Sequence, residues 1–279
     1  MKKFLSLILC LVLLFTLAAC GSKTEPADEP VPSEDSTEPA DLLAEIRERG
    51  YIVIGTEGDW SPWTYTDESD NLTGFDVEVG ALIAEGLGVE AQFVTAAWDS
   101  LLAGLDSKRF DLVCNGVGWT EERAEKYSFS TPYVYTHSVL VVRGDDDTIS
   151  SFEDLNGKTT ANTASSTYAS LAEEYGATVT PVDSLEETIT LLLQERIDAT
   201  INSQVTIVDY LAQHPDANLT IGARTEGKPV VYPVRKAEDT DTLVAAIDEV
   251  LQELRDNGKL AELSIKYFGV DITKESSAG

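Results

Sequence analysis

Phe110-Asp111-Leu112-Val113-Cys114-Asn115-Gly116-Val117-Gly118-Trp119-Thr120-Glu121-Glu122-Arg123 runs from an apolar strand through a glycine-bearing turn into a charged helical segment. A strand that ends in glycines bares backbone donors and carbonyls at its tip. Asn115, Gly116 and Gly118 stand at that tip, and Arg123 can reach the same space as a fixed guanidinium fork, which an α-carboxylate fits bidentately. Spacing alone equally allows Arg123 to be a surface helix residue paired with a nearby glutamate.

Outward from this stretch, short apolar runs of strand character alternate with helical periodicity. Strands are expected at Tyr51 to Ile54, Ala91 to Val94, Phe110 to Cys114, Val139 to Val142 and Ala199 to Ile201. Leu42, Leu43 and Ile46 share one face of a helix that Gly50 stops, and further helices are expected at Val77 to Glu85, Leu101 to Leu105, Tyr168 to Tyr175, Leu185 to Gln194 and Val205 to Leu211. Such alternation argues for α/β layers with parallel strand pairing. A long amphipathic pattern through Leu243, Ile247, Val250, Leu251 and Leu254 breaks at Asn257-Gly258, and a second helix follows from Lys259 to Tyr267. These two helices should pack on one lobe. Beyond Gly269 only Val270 and Ile272 are large and apolar, so this end is expected to fray.

The 279 residues, 43% of them hydrophobic, suffice for two lobes with a core each. Lys and Arg total 20 against 49 Asp and Glu, and the formal net charge of -29 argues against nucleic acid or an anionic membrane surface as partner. Of the cysteines, Cys10 and Cys20 lie in an N-terminal apolar segment, which leaves Cys114 as the thiol of the folded part, a small buried filler with no disulfide partner. The histidines are His137, read as structural, and His214, read as a surface residue at a helix end. No zinc-protease, nucleophile-elbow, Cys-x-x-Cys or phosphate-loop pattern occurs, so no catalytic residue, metal or cofactor is assigned.

The first nineteen residues read as a processing signal, with Lys2 and Lys3 ahead of the apolar run Phe4 to Ala19, too short for the about 20 residues a membrane span requires. Residues 20–40 carry Glu25, Asp28, Glu29, Glu34, Asp35 and Glu38 among four prolines, the composition of an extended, self-repelling tether.

Ala164-Ser165-Ser166-Thr167 precedes the helical run near Tyr168. Ser and Thr there suit a helix N-cap, where free N–H groups also attract anions. Capping alone accounts for them unless this helix start and Arg123 face one cleft. All four tryptophans lie near strand-to-helix connections; Trp60 and Trp98 are read as walls for a small polar ligand, Trp63 and Trp119 as packing.

Together these segments resemble the bacterial extracellular solute-binding protein family 3, the polar amino-acid receptors of ABC importers. The resemblance covers Leu42 to Thr273 and rests on the order of short strings: Gly55 to Trp63, Leu72-Thr73-Gly74-Phe75-Asp76, Trp98 to Leu105, Thr120 to Pro132, Asp154 to Lys158, Arg196-Ile197-Asp198-Ala199 and Lys266-Tyr267-Phe268-Gly269. It implies a type II, two-lobed, periplasmic-binding-protein-like α/β fold with two hinge crossings. Lobe 1 would comprise 41–135 and 230–279, and lobe 2 would comprise 138–228. By position Arg123 is similar to the family's carboxylate-binding arginine, Ser166 and Thr167 to donors from the opposite lobe, Trp60 and Trp98 to its aromatic walls, and Glu57 to an acidic position facing the ligand. Leu17-Ala18-Ala19-Cys20 resembles a lipobox, which implies cleavage before Cys20 and a diacylglyceryl group on its sulfur.

Two departures from the family pattern stand out. Ser203 occupies the position of the Asp that holds the ligand's α-ammonium in many relatives, and Gly118 replaces a common hydroxyl. An unpaired buried ammonium is costly, so Glu57 is the carboxylate expected to take over. Leu105-Asp106-Ser107-Lys108-Arg109, Thr120 to Pro132 and Asn162 to Tyr168 look most similar to the cystine-binding group, and sulfur packs well on aromatic edges. The expectation is a monomeric, lipid-anchored, extracytoplasmic receptor that hands L-cystine to an ABC permease. The alternatives are a dehydratase of the cyclohexadienyl type, for which Glu57 is the candidate acid, and a ligand-sensing receptor domain, which the want of a second transmembrane run disfavours.

Overall fold

The computed structural model describes residues 41–275. The leader, the lipid-attachment residue Cys20 and the acidic tether fall outside the described residues. No described helix is long and apolar enough to cross a membrane.

The first lobe is built on a parallel sheet. Tyr51–Thr56 lies at its centre, paired with Glu90–Thr95 on one side and Leu112–Val113 on the other. Helices Leu42–Arg49 and Phe75–Leu87 end at Gly50 (φ 82) and Gly88 (φ 78), where the left-handed cap conformation favours glycine. The strand expected at Phe110 to Cys114 is shorter than the apolar run. Phe110 instead drives its ring against Gly55 and Gly104, where an added Cβ would come within 2.7 and 2.2 Å of it. Asp111 turns its carboxylate onto Val53 N at 2.7 Å.

The second lobe corrects the expectation of uniformly parallel pairing. Thr159–Asn162 and Thr178–Pro181 are parallel, and a parallel bridge from Thr160 to Ala199 joins them to Thr200–Ser203. Ser138–Arg143, however, runs antiparallel to both Thr200–Ser203 and Leu219–Arg224. Ser138–Arg143 follows the crossing strand with only His137 between them, so its direction is set by the crossing and not by a strand–helix–strand unit, which would make it parallel. The crossings are Val134–Thr136 and Lys228–Val230, an antiparallel pair that carries the chain out of the first lobe and back. His137 braces them, its Nδ1 at 2.7 Å from Thr225 O.

Asp241–Asp256 and Lys259–Phe268 pack on the first lobe as the amphipathic pattern requires, burying Leu243, Ile247, Leu251, Leu260 and Leu263. The segment after Gly269 does not fray through Thr273. Tyr135 N donates to Ile272 O at 2.8 Å and Ser264 Oγ to Val270 O at 2.7 Å, so hydrogen bonds hold what apolar content does not. Cys114 is fully buried, as its apolar surroundings demand.

Beneath the glycine turn lies a buried polar hub. Asp76, in the first turn of Phe75–Leu87, accepts from Tyr133 Oη at 2.8 Å, from Tyr232 Oη at 2.9 Å and from Gly116 N. The two tyrosine rings stack with centroids 4.0 Å apart, which fixes both hydroxyls. Even with three donors, complete burial pushes the Asp76 carboxyl up to about 6. Its folded pKa thus lies above the unfolded value, so the native chain holds this proton more tightly. The stabilising contribution is complete below about pH 4 and falls by about 3 kcal/mol as pH rises through about 6. Asp76→Asn is expected to destabilise the protein by about 1–3 kcal/mol at pH 5, because an amide cannot accept from all three donors at once. The deficit should shrink at pH 7.5, where the wild-type side chain is buried as a charge; urea unfolding at the two pH values measures both.

Candidate functional site

The carboxyl ends of strands from both lobes converge on one cleft, the usual place for a ligand in an α/β sheet. Glu57 follows Tyr51–Thr56, and Gly116 and Gly118 follow Leu112–Val113. Asn162 and Asn202 end or nearly end the facing strands Thr159–Asn162 and Thr200–Ser203.

Arg123 lies in the short helix Glu121–Lys126, whose N-cap Thr120 accepts Arg123 N at 3.1 Å. Its side chain is 9% exposed, its Nη1 donates to Gly118 O at 2.8 Å, and its Nη2 crosses to Ser165 O of the second lobe at 3.1 Å. The guanidinium carbon stands 5.3 Å from the Trp98 ring centre. Burial pushes its pKa down, and among the described residues it has no ion-pair partner, since Glu122 pairs with Lys126 at 3.0 Å. The surface-arginine reading therefore fails. The guanidinium is buried without an ion pair among the described residues.

Opposite, Ser166 caps Thr167–Glu174 through Ala169 N at 3.1 Å. Capping and cleft both apply, because Ser166 and Thr167 line the same cavity as Arg123, and a Cβ on Gly118 would stand 3.8 Å from Thr167. Trp60 and Trp98 line the cavity as walls. Trp60 stacks on Trp63, ring centres 5.5 Å apart, and Trp63 is wholly buried as packing. Gly116 must be glycine here: φ is 56, and a Cβ would come within 2.7 Å of the Trp60 ring. Trp119 departs from its expected packing role. It is 42% exposed, because Trp119 N is tied to Pro229 O at 3.0 Å and the ring is left outside the lobe core.

Glu57 lines the cavity. Its pKa is pushed up to about 7, chiefly by burial, with the Asn115 amide opposing and Asp59 and Asp99 adding to the rise. Asn115 itself is fully buried behind Glu57 and holds it from two sides, its Nδ2 on the carboxylate and its Oδ1 accepting Glu57 N at 2.8 Å. It positions the site and does not line the cavity. Ser203 also stands apart: its hydroxyl is 3.0 Å from that of Thr136 on the crossing strand, and Asn202 lines the cleft in its place.

Asp59, Asn162, Tyr168, Asp183 and Asn202 line the cavity although the sequence did not single them out. The signal that would have found the two asparagines is their place at strand carboxyl ends. Neither histidine takes part; His137 braces the hinge, and His214 stacks on Tyr210 at 4.2 Å. Beyond Arg123, two more contacts join the lobes: Asp99 accepts from Ser165 N at 3.2 Å, and Ser61 Oγ donates to Asp209 at 2.8 Å. The lobes are thus closed on one another.

Comparison with known proteins agrees with this architecture. Residues 52–270 match the family described as bacterial extracellular solute-binding proteins, family 3. The chain is 37% identical over 276 residues to the L-cystine-binding protein TcyA of Bacillus subtilis, covering 98% of this chain and 100% of that one. The L-cystine solute receptor of Neisseria gonorrhoeae, solved unliganded and open, shares 38% identity over 84% of this chain and 99% of its own, with a TM-score of 0.58. The arginine-bound form of truncated ArgBP from T. maritima shares 36% identity over 76% and 99%, with a TM-score of 0.70. The match to the family over residues 52–270, together with relatives named for solute binding that align along nearly their whole length, establishes that the chain belongs to the bacterial extracellular solute-binding proteins, family 3.

Proposed function

We propose that this solute-binding protein is the receptor of an ABC importer for a polar amino acid, L-cystine in particular, which it captures between its lobes and hands to a membrane permease. The observation that carries the reading is the buried, unpaired guanidinium of Arg123, facing the hydroxyls of Ser166 and Thr167 across one cleft. A carboxylate supplies the missing charge and accepts from both lobes at once, so binding favours the closed state. Lobe 1 is taken as 41–135 and 230–279 and lobe 2 as 138–228, with the hinge at the paired crossing strands. Cys20 is taken as the lipidated residue that keeps the receptor at the outer face of the membrane.

Two features favour cystine. The relatives from Bacillus subtilis and Neisseria gonorrhoeae are named for that ligand. Trp60 and Trp98 offer aromatic edges on which a disulfide packs.

Titration calorimetry with a panel of amino acids tests this directly. L-Cystine should bind tightest, and Arg123→Ala should weaken it by about 30-fold to several thousand-fold, the range for truncating one member of a buried charged pair. Unchanged affinity in that variant would overturn the clamp.

A second outcome follows from Glu57. In the free protein its carboxyl titrates near 7, whereas an adjacent ammonium favours the ionised form and lowers that value. Binding should therefore release a proton below about pH 7. Affinity should fall by up to about tenfold per pH unit on acidification and level off above pH 7. Glu57→Gln should flatten the profile, as measured by calorimetry across pH 5.5 to 8.5 in two buffers of different ionisation enthalpy.

A further inference from the structure

Ser203, at the position that is acidic in many relatives, pairs with Thr136 and does not line the cleft. The polar atoms of the cleft that lack partners point elsewhere. Asn162, 4% exposed, ends its strand in the cleft lining. Its Nδ2 donates to Ile201 O on the neighbouring strand at 2.8 Å. That bond fixes the amide orientation, since exchanging nitrogen and oxygen would set two carbonyl oxygens against each other. Oδ1 then occupies the other edge of the amide, buried, and has no donor among the described residues.

Trp98 shows the converse. Its Nε1 is a buried donor without an acceptor, on the ring beside which the Arg123 guanidinium lies. The cleft is therefore divided. Unsatisfied donors, Trp98 Nε1 and the guanidinium, lie together on the first lobe. The acceptors are Asn162 Oδ1, which has no donor among the described residues, and the Glu57 carboxylate, which Asn115 Nδ2 engages through one oxygen; the two residues line the cleft from opposite lobes. A ligand that carries only donors or only acceptors leaves one set or the other unpaired. An α-amino acid completes both, its carboxylate on the donors and its ammonium, three donors and no acceptor, on the acceptors. Asn202, the other asparagine of the cleft, is less suited, because its Oδ1 already accepts Ser203 N at 2.8 Å.

We infer that Asn162 Oδ1, together with the Glu57 carboxylate, receives the α-ammonium of the bound amino acid, a task moved from the N-cap of Gln204–Gln213 to the end of Thr159–Asn162. This rests on the reading of the site as an amino-acid cleft but not on cystine as the ligand.

The experiment titrates L-cystine into the full chain and into two variants, Asn162→Leu and Asn162→Asp. Both variants lose the bond to Ile201 O, but only Asn162→Asp keeps an acceptor. Asn162→Leu should weaken binding about 10- to 100-fold, as expected for a lost hydrogen bond to a charged group. Asn162→Asp should stay within about threefold of wild type. Equal losses in the two variants would assign Asn162 a merely structural role, and no loss in Asn162→Leu would remove it from the site; either result overturns the inference. If thermal unfolding shows that Asn162→Leu does not fold, Asn162→Ser replaces it, its hydroxyl being too short to reach. If the wild type ignores L-cystine but binds another amino acid of the panel, the cystine reading falls and the same comparison with that amino acid decides the inference. If the wild type binds no α-amino acid, both fall.

Discussion

A guanidinium carried into the interior without a carboxylate constrains everything around it. Arg123 is held by two carbonyl oxygens, Gly118 O from its own lobe and Ser165 O from the other. Carbonyl dipoles orient the charge and cannot cancel it, so each closure of the lobes desolvates a cation that remains unpaired until an anion arrives. Ser165 takes part only when the lobes meet, so under the proposed function closure and anion capture favour one another. The side contacts of Asp99 with Ser165 and of Ser61 with Asp209 add to the closed state whether or not a ligand is present. They lower the cost of closing without selecting what is enclosed.

The selectivity of such a clamp depends on how rigidly its other surfaces are held, and two fully buried side chains do most of this. Asp76 ties Gly116 N to a pair of stacked tyrosines, so the glycine turn cannot drift toward or away from the Trp60 ring. Asn115, one residue earlier, uses both ends of its amide to fix Glu57. A single stretch of backbone thus sets the distance between the guanidinium side and the carboxylate side of the cleft. Gly118 leaves room in the middle, where a Cβ would meet nothing closer than Thr167 at 3.8 Å.

Much of this was legible in the sequence where the controlling physics is local. Gly50 ends its helix because the left-handed cap favours glycine, and the C-terminal helices declare themselves by spacing alone. Arg123 could be proposed because a glycine turn and a cation stand close in sequence. What stayed hidden depends on partners far along the chain. Ser203 turns away because Thr136 lies beside it, and Asn115 and Asn162 look alike until the sheets form, when one faces Glu57 and the other the cleft. The antiparallel strand Ser138–Arg143 has the same apolar pattern as its parallel counterparts, since burial on both faces erases the difference. Val270 to Thr273 are held by hydrogen bonds to Tyr135 N and to the side chains of Ser264 and Asp271, which hydropathy does not register.

Serine at position 203 and glutamate at position 57 can be understood as one choice. Glu57 in this cleft is already raised to about 7 by burial, with nearby carboxylates adding to the effect. A second carboxylate at the N-cap of Gln204–Gln213 would place two like charges on one ammonium, and each would oppose the ionisation of the other. The outcome would be one protonated acid and one ionised one, no better a partner than a single carboxylate. An uncharged acceptor beside Glu57 avoids that competition. On the proposal above it completes the hydrogen bonding of the ammonium, adds no further titrating group to a cleft that Glu57, Asp59 and Asp183 already line, and allows the serine hydroxyl to serve the hinge strand.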